Sequence, residues 1–278
     1  MTKPKQYQPL YRDFIEIIEK GFLLLDEKSQ QEVKKFISSQ QHQNGAFTDR
    51  AGNPDLYYSL FGAWMSKALE MEVEQKRLSG YIEKNQSDEQ KTVEFFSHLL
   101  ISVSMEIDVK KPSIPAHLKM AFNRNRQINV AYKAFLFLLG FDALYGRKTI
   151  WYFLFRIGLT FYTPSDNLPC SFMSALLIAR FLTGMNTSQE QKQLFSYFEK
   201  GKGFKVFLES ESADLLSTAV ALFALKKTGA DLRMVAPDGL NRVQQNYESG
   251  AFLSGDGDET KDLEYTFYGL LILGTLAE

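Results

Sequence analysis

The sequence predicts an all-α protein, a closed (α/α)6 barrel of about twelve helices, six inner and six outer, with an extra helix at the N-terminus. Three observations support this prediction. A short motif recurs along the chain, strongly apolar helical segments alternate with weakly apolar ones, and the first and last copies of the motif resemble each other best. A motif that recurs about every 40 residues is typical of stacked helix pairs, because one pair cannot bury its apolar face alone.

The recurring motif is an acid, Leu, any residue, Tyr or Ser, a hydroxyl residue, two further residues and then a small residue. It occurs at residues 55–62, 214–221 and 262–269. Gly-Ala-Phe precedes two of these copies, at 45–47 and 250–252. An open array of helix pairs needs polar terminal repeats, and neither terminal copy has that character. We therefore predict that the array closes into a ring.

The helices are predicted in chain order from the spacing of apolar residues. The first spans 10–25 and is amphipathic, with Leu10 and Phe14 on its apolar side. We treat residues 1–27 as an N-terminal helix and residues 28–278 as the barrel domain. The inner helices are predicted at 55–70, 92–107, 128–145, 169–183, 213–228 and 262–277. The outer helices are predicted at 29–41, 72–84, 113–124, 147–158, 188–200 and 237–247.

Local signals predict where several helices begin and end. Ser29, with Glu32 three residues later, has the spacing of a capping box. Asn53 is predicted as an N-cap followed by Pro54 as the first helical residue, and Gly184 is predicted as a left-handed helix end. The segment 107–127 contains two prolines and is the weakest helix prediction. No segment has the alternation of a β-strand.

Composition narrows the functional classes. The chain has 278 residues, is 45% hydrophobic and 23% charged, and has a formal net charge of -1. This charge leaves no electrostatic footprint for nucleic acid. Residues 150–162 are the most apolar stretch, but Arg156 interrupts them and they are shorter than the roughly 20 residues that span a bilayer. They are interpreted as a buried helix or one that touches a membrane. No signal peptide is evident and Cys170 has no second cysteine to pair with, so a cytoplasmic location is expected.

Residues 40–69 and 244–277 each contain a Gln-rich helix, Gly-Ala-Phe and an Asp-Leu-x-Tyr-Thr helix start, and residues 203–228 are a fainter copy. This pattern resembles the α/α-toroid superfamily of protein prenyltransferase β subunits and squalene and terpene cyclases. The resemblance covers most of the chain, and its motifs are those of the fold's repeats. It implies a central, aromatic-lined cavity near the N-terminal ends of the inner helices. An isoprenoid or polyene chain is the ligand that the resemblance implies.

The catalytic motifs of that superfamily are absent. Aligned by repeat, Asp214 stands at the zinc-binding Asp of the prenyltransferases, but Leu216 stands at the Cys and Tyr265 at the His. A single ligand of three does not hold zinc. The acid box of the cyclases corresponds to 214–219, where Leu216 replaces the central acid. No cofactor is therefore predicted.

Asp214 is the first candidate for catalysis, because it alone stands at a catalytic position of the resembled family. The same carboxylate could simply cap its helix, and that is the more common role of such an acid. The candidate ligand-binding residues are aromatic side chains at or near the first turns of inner helices. They are Tyr58, Phe61, Phe172, Tyr265 and Tyr268.

Two weaker candidates concern metals and nucleophiles. The oxygen-rich loop with Asp256, Asp258 and Asp262 could hold Mg²⁺, although a solvated turn is the more common structure for such a loop. Cys170 begins an inner helix, where the helix dipole could activate it, but no His lies near it in sequence. The three histidines are too dispersed to indicate a metal site; they are His42, His98 and His117.

Two functional hypotheses follow from these residues. The first is a prenyltransferase-like or cyclase-like toroid that binds an isoprenoid or polyene chain and modifies it without zinc. The second is a non-catalytic toroid that binds an apolar molecule or a protein partner. Peripheral contact with a membrane is compatible with either hypothesis. Fold resemblance alone does not choose between them.

Overall fold

The structure is a computed structural model that describes residues 8–85, 92–108, 112–121, 130–146, 150–164 and 167–277. Within these residues it contains thirteen α-helices and four two-residue strands. The first helix is α1, Leu10–Leu23. Six strongly apolar helices, which we call the central helices, are α3 Leu56–Ala68, α5 Thr92–Ser104, α7 Val130–Tyr145, α9 Cys170–Leu182, α11 Leu215–Lys227 and α13 Leu263–Leu276. Six flank them: α2 Glu27–Ser39, α4 Glu72–Lys84, α6 Ile114–Ala121, α8 Ile150–Phe161, α10 Ser188–Phe195 and α12 Ala236–Asn246.

The all-α class is confirmed, and each predicted inner helix has a counterpart among α3, α5, α7, α9, α11 and α13. The prediction of no strands is wrong. β1 (Phe198–Glu199) pairs with β2 (Gly203–Phe204), and β3 (Tyr247–Glu248) pairs with β4 (Ala251–Phe252), both antiparallel. The predicted helix 188–200 therefore ends early, at Phe195. Part of the predicted segment 107–127 lies outside the described residues.

Two predicted helix starts are also wrong by a few residues. Asp26, not Ser29, caps α2, because its carboxylate accepts the backbone N–H of Ser29 at 2.8 Å. Asp55, not Asn53, caps α3, and its carboxylate accepts the N–H of Tyr58 at 2.9 Å. In both cases an acid close by in sequence satisfies the free N–H groups of the first turn.

The recurring motif is explained by two contacts that every copy makes and a third that the first and last copies share. Its acid caps the following helix, as Asp214 does for α11 and Asp262 for α13. Its hydroxyl residue accepts the backbone N–H of the Phe in the preceding loop. These pairs are Phe47 to Ser59 at 2.9 Å, Phe204 to Thr218 at 3.1 Å and Phe252 to Thr266 at 3.4 Å. In the first and last copies the small residue is Gly and leaves room for the Phe ring: an added Cβ would lie 2.3 Å from Phe47 at Gly62 and 2.3 Å from Phe252 at Gly269.

The central helices contact one another in a cyclic order. α3 contacts α5, α5 contacts α7, α7 contacts α9, α9 contacts α11, and α11 contacts α13. α13 in turn contacts α3. The loops that follow the outer helices pack on the next outer helix in the same cyclic order. Gly45, after α2, lies against α4, where an added Cβ would be 2.2 Å from the carbonyl oxygen of Arg77, and Gly250, after α12, lies equally close to Glu32 of α2.

α1 packs against the central helices near their C-terminal ends. It contacts α13, α3, α7 and α5. The N–H of Leu10 donates to Asp142 in the last turns of α7 at 2.6 Å, and Lys227 at the end of α11 donates to Asp13 at 2.5 Å. The Phe14 ring lies among aromatic rings of the central helices, 4.5 Å from that of Phe223. α1 therefore fills one end of the molecule's apolar interior.

Candidate functional site

The first turns of α3, α11 and α13 bring polar and aromatic side chains together at the end of the central helices opposite α1. We call this group the first-turn face. It consists of Arg50, Tyr57, Tyr58, Asp214, Glu264 and Tyr265. Their positions follow from the acid caps, because each cap fixes where the next three side chains of its helix project.

Glu264 is the principal titratable group of the first-turn face. The Tyr57 hydroxyl of α3 donates a hydrogen bond to the Glu264 carboxylate of α13. Burial raises the pKa of Glu264 to about 7, and the nearby carboxylates of Asp262 and Asp214 act in the same direction, while the bond from Tyr57 lowers it. Glu264 can therefore change its protonation near neutral pH.

Arg50 neutralises much of the acidic charge at this face. Its guanidinium donates to Asp262 at 2.6 Å and to Asp258 at 2.6 Å, which ties the loop before α3 to the loop before α13. The same guanidinium lies 5.6 Å from the centroid of the Tyr265 ring. Burial raises the pKa of Tyr58 to about 12, with Asp262 and Glu264 adding to the effect, so Tyr58 stays protonated as a hydrogen-bond donor.

Asp214 lies at the same face but is engaged as a helix cap. Its carboxylate accepts the N–H of Ser217 at 2.7 Å. Burial raises the pKa of Asp214, while its bonds to Ser217 oppose this rise. The structure thus places Asp214 near Glu264 and Tyr265, whose ionisation it disfavours through its charge.

Cys170 has a structural position rather than a reactive one. It stands directly after the N-cap of α9, at the motif position that Leu215 and Leu263 occupy in α11 and α13, and like them it is fully buried. Burial raises the pKa of the thiol strongly, and the charge of Asp214 adds to this. Its Sγ donates to the carbonyl oxygen of Ser217 at 3.7 Å. A small apolar residue would serve the same purpose.

The five predicted ligand-binding aromatics fall into two groups. Tyr58, Phe172 and Tyr265 are partly buried in the first turns of their helices. Tyr58 and Tyr265 belong to the first-turn face, whereas the Phe172 ring lies 6.1 Å from that of Tyr162. Phe61 and Tyr268 lie one turn deeper, are buried, and are 5.9 Å apart between ring centroids. The deeper pair borders a cavity of about 20 Å³, room for roughly one water molecule. The other lining residues include Phe14 of α1, Leu60, Trp64, Leu136, Leu139, Val220, Phe267 and Leu271.

The candidate metal ligands do not converge. In the part of the chain that the structure describes, no group of three or more His, Cys, Asp or Glu side chains could hold a metal ion. Asp258 and Asp262 bind Arg50, and Asp256 accepts from Ser254. His98 is buried, and burial lowers its pKa. His42 lies in the loop after α2, and the side chain of His117 lies outside the described residues.

Glu264, Tyr57 and Arg50 were not among the predicted site residues. Glu264 and Tyr57 occupy the unspecified third position of the motif, which aligns with Leu216 in α11. That position aligns with the Cys ligand of the resembled prenyltransferases, so repeat alignment could have indicated that it faces the interior. No sequence signal could have found Arg50, because its partners Asp258 and Asp262 lie 208 and 212 residues away along the chain.

The comparisons with known proteins return no relative. No protein-family model matches the chain, and neither the curated proteins nor the solved structures contain a significant match.

Proposed function

We propose that the chain is an α/α toroid that binds an apolar isoprenoid or polyene chain at the first-turn face. The cyclic order of contacts among the central helices supports the toroid. The packing of the loop after α12 on α2, in the same way as the loop after α2 packs on α4, supports closure. A toroid of this kind leaves the first turns of its inner helices around one opening, where a ligand can enter.

The closed ring can be tested by a distance across the junction. Cysteines replacing exposed Lys35 on α2 and Gln245 on α12 can carry spin labels, since Cys170 is buried and will not compete. In a closed ring the two labels should lie about 20 Å apart, roughly two helix spacings. A much longer distance in the folded protein would indicate an open array.

The Glu264–Tyr57 pair carries the ligand proposal. It is a protonatable carboxyl beside a phenol, with Tyr265 and Tyr58 next to it. Such a site offers an aromatic wall to an apolar chain and a donor and acceptor to one polar end. A hydroxyl-terminated isoprenoid fits this chemistry.

The acidity of Glu264 favours binding over cyclisation. Protonation of a carbon–carbon double bond needs a much stronger acid than a carboxyl with a pKa of about 7. Phe14 of α1 lines the same cavity as the deeper aromatics, and that cavity holds about 20 Å³. Both observations support the non-catalytic binding function.

Binding can be tested with farnesol as the probe. We expect farnesol to quench or shift the intrinsic fluorescence, and Tyr265→Ala to weaken its binding about tenfold through loss of apolar contact. Glu264→Gln should weaken binding less, because the amide still forms hydrogen bonds. The matched control is Phe207→Ala, an exposed aromatic outside the site. Absence of farnesol binding, with no isoprenoid extracted from freshly purified protein, would refute the proposal.

Catalysis at Asp214 is the second candidate function. It is favoured by the partial burial and raised pKa of this carboxyl beside Glu264. If turnover of a polyene is observed, Asp214→Asn should lower it more than Asp55→Asn or Asp262→Asn. All three variants retain an oxygen that caps a helix, so their structural costs should be similar. Only Asp214→Asn also removes the proposed catalytic carboxyl. Full turnover in folded Asp214→Asn would exclude this role.

A further inference from the structure

The outward side of α8 carries a continuous apolar stripe. Ile150, Phe153, Leu154, Ile157 and Phe161 are all exposed, Phe161 to 83% and Ile150 to 71%. Their spacing of three and four residues places them on one side of the helix. We call these five residues the α8 stripe.

The opposite side of α8 is firmly packed. Tyr152 is buried, and the Phe155 ring lies edge-on to that of Phe141 with centroids 5.0 Å apart. Arg180 of α9 donates to the carbonyl oxygen of Leu159 at 3.2 Å. These contacts fix the rotation of α8, so the helix cannot turn to bury its stripe without losing them.

Other flanking helices expose a different surface. Where the structure describes them, α2, α4, α10 and α12 direct mainly Glu, Gln, Lys, Asn and Arg side chains to solvent. Exposed apolar residues on those helices are isolated, such as Val73 on α4 and Leu240 on α12. Scattered single residues are normal on a protein surface, whereas a contiguous patch indicates an interaction site.

The charge of the sequence is uneven, and the stretch that contains α8 is basic. Between Asp108 and Asp166 the sequence contains nine Lys and Arg residues and one acid, Asp142, although the whole chain is nearly neutral. Arg156 lies within α8 and is exposed. An exposed apolar helix that carries an exposed cation and belongs to a basic stretch of the sequence has the two properties that draw a protein to an anionic lipid surface.

We propose that the α8 stripe docks onto the surface of an anionic lipid bilayer, with the helix lying in the plane of the interface. Within the described residues no helix is long and apolar enough to cross a membrane, so the contact is interfacial. A second copy of this chain is a poorer occupant, because a two-fold interface on α8 would bring the exposed Arg156 of each copy close to that of the other. This proposal does not depend on the isoprenoid-binding function.

Vesicle sedimentation of the full chain tests the proposal. Vesicles of phosphatidylcholine with an equal amount of phosphatidylserine should bind the protein, vesicles of phosphatidylcholine alone should bind it weakly, and added salt should reduce binding. The double variant Phe153→Gln/Phe161→Gln should lower the partition coefficient at least about tenfold. The matched control, Val73→Gln/Met234→Gln, changes two exposed apolar residues elsewhere and should bind as wild type.

A fluorophore attached at Ile157→Cys reports on the stripe directly, since Cys170 is buried. Its emission should shift to shorter wavelength with the anionic vesicles, and that of the same fluorophore at Val73→Cys should not. Failure to bind the anionic vesicles would overturn the proposal. So would a dimer in sedimentation equilibrium that the Phe153→Gln/Phe161→Gln variant dissociates, since the occupant would then be a second copy.

Discussion

At the scale of single residues, each position of the recurring motif has one physical task. The acid caps a helix, the hydroxyl accepts a loop N–H, and the small residue receives a Phe ring, as Thr266, Phe252 and Gly269 show for α13. These tasks are local, so the sequence could predict them as a pattern. The third position has no such task in the fold and is free to carry Tyr57 or Glu264.

Gly269→Ala should destabilise the protein by about 1–3 kcal/mol, because the new methyl group would lie 2.3 Å from the Phe252 ring and force it to move. The free energy of unfolding in urea measures the effect. Gly80→Ala is the control: Gly80 lies within α4 with nothing within 4 Å of an added Cβ, so this change should raise stability by up to about 1 kcal/mol. Equal effects of the two changes would refute the packing role of Gly269.

The raised pKa of Glu264 should make the free energy of unfolding depend on pH. The folded state retains this proton up to about pH 7, while the unfolded chain loses it near 4.5, so the contribution of Glu264 to stability falls as pH rises between those values. Relative to Glu264→Gln, wild type should lose up to about 3 kcal/mol across that window. Urea unfolding at its two ends measures this loss. Exposed Glu83→Gln is the control, and a pH-independent difference for Glu264→Gln would contradict the assignment.

At the scale of elements, the positions of the central helices were predictable and their connections were not. Six apolar helices gave a clear periodic signal, whereas β1 to β4 are only two residues long and leave no alternation to detect. The end of α10 at Phe195 follows from the hairpin that begins at Phe198. The spacing of Leu10 and Phe14 predicted an apolar face on α1, but it could not indicate which helices cover that face.

Asp142 joins three elements, so its removal should be costly. It is fully buried and accepts the N–H of Leu10 at the start of α1 and the hydroxyl of Tyr152 in α8 at 2.9 Å. Asp142→Ala should destabilise the protein by about 2–4 kcal/mol, because both donors lose a buried acceptor. Tyr152→Phe, which removes a single donor, should cost about 1 kcal/mol. A double-mutant cycle in urea measures their coupling; additive effects would contradict a direct bond.

At the scale of the whole molecule, α1 and the central helices share one apolar interior. Phe14 lies against Trp64, Phe223 and Phe267, which belong to three different central helices. A chain whose helices share a core in this way should unfold as one unit.

Phe14→Ala tests that unity. It should lower the free energy of unfolding by about 3–5 kcal/mol and still leave a single transition, in which helical circular dichroism and aromatic near-ultraviolet signals change together. Exposed Phe207→Ala should have little effect. A separate early transition in Phe14→Ala, with most of the helical signal retained, would show that α1 is an independent element.

The position of α1 also has a consequence for synthesis on the ribosome. Asp13 and its partner Lys227 are 214 residues apart in sequence, and α13, which α1 contacts extensively, follows later still. α1 therefore leaves the exit tunnel long before the helices that cover its apolar side exist, and contacts of this length close slowly. During that interval the nascent chain exposes Phe14 and its neighbours, which the finished protein buries.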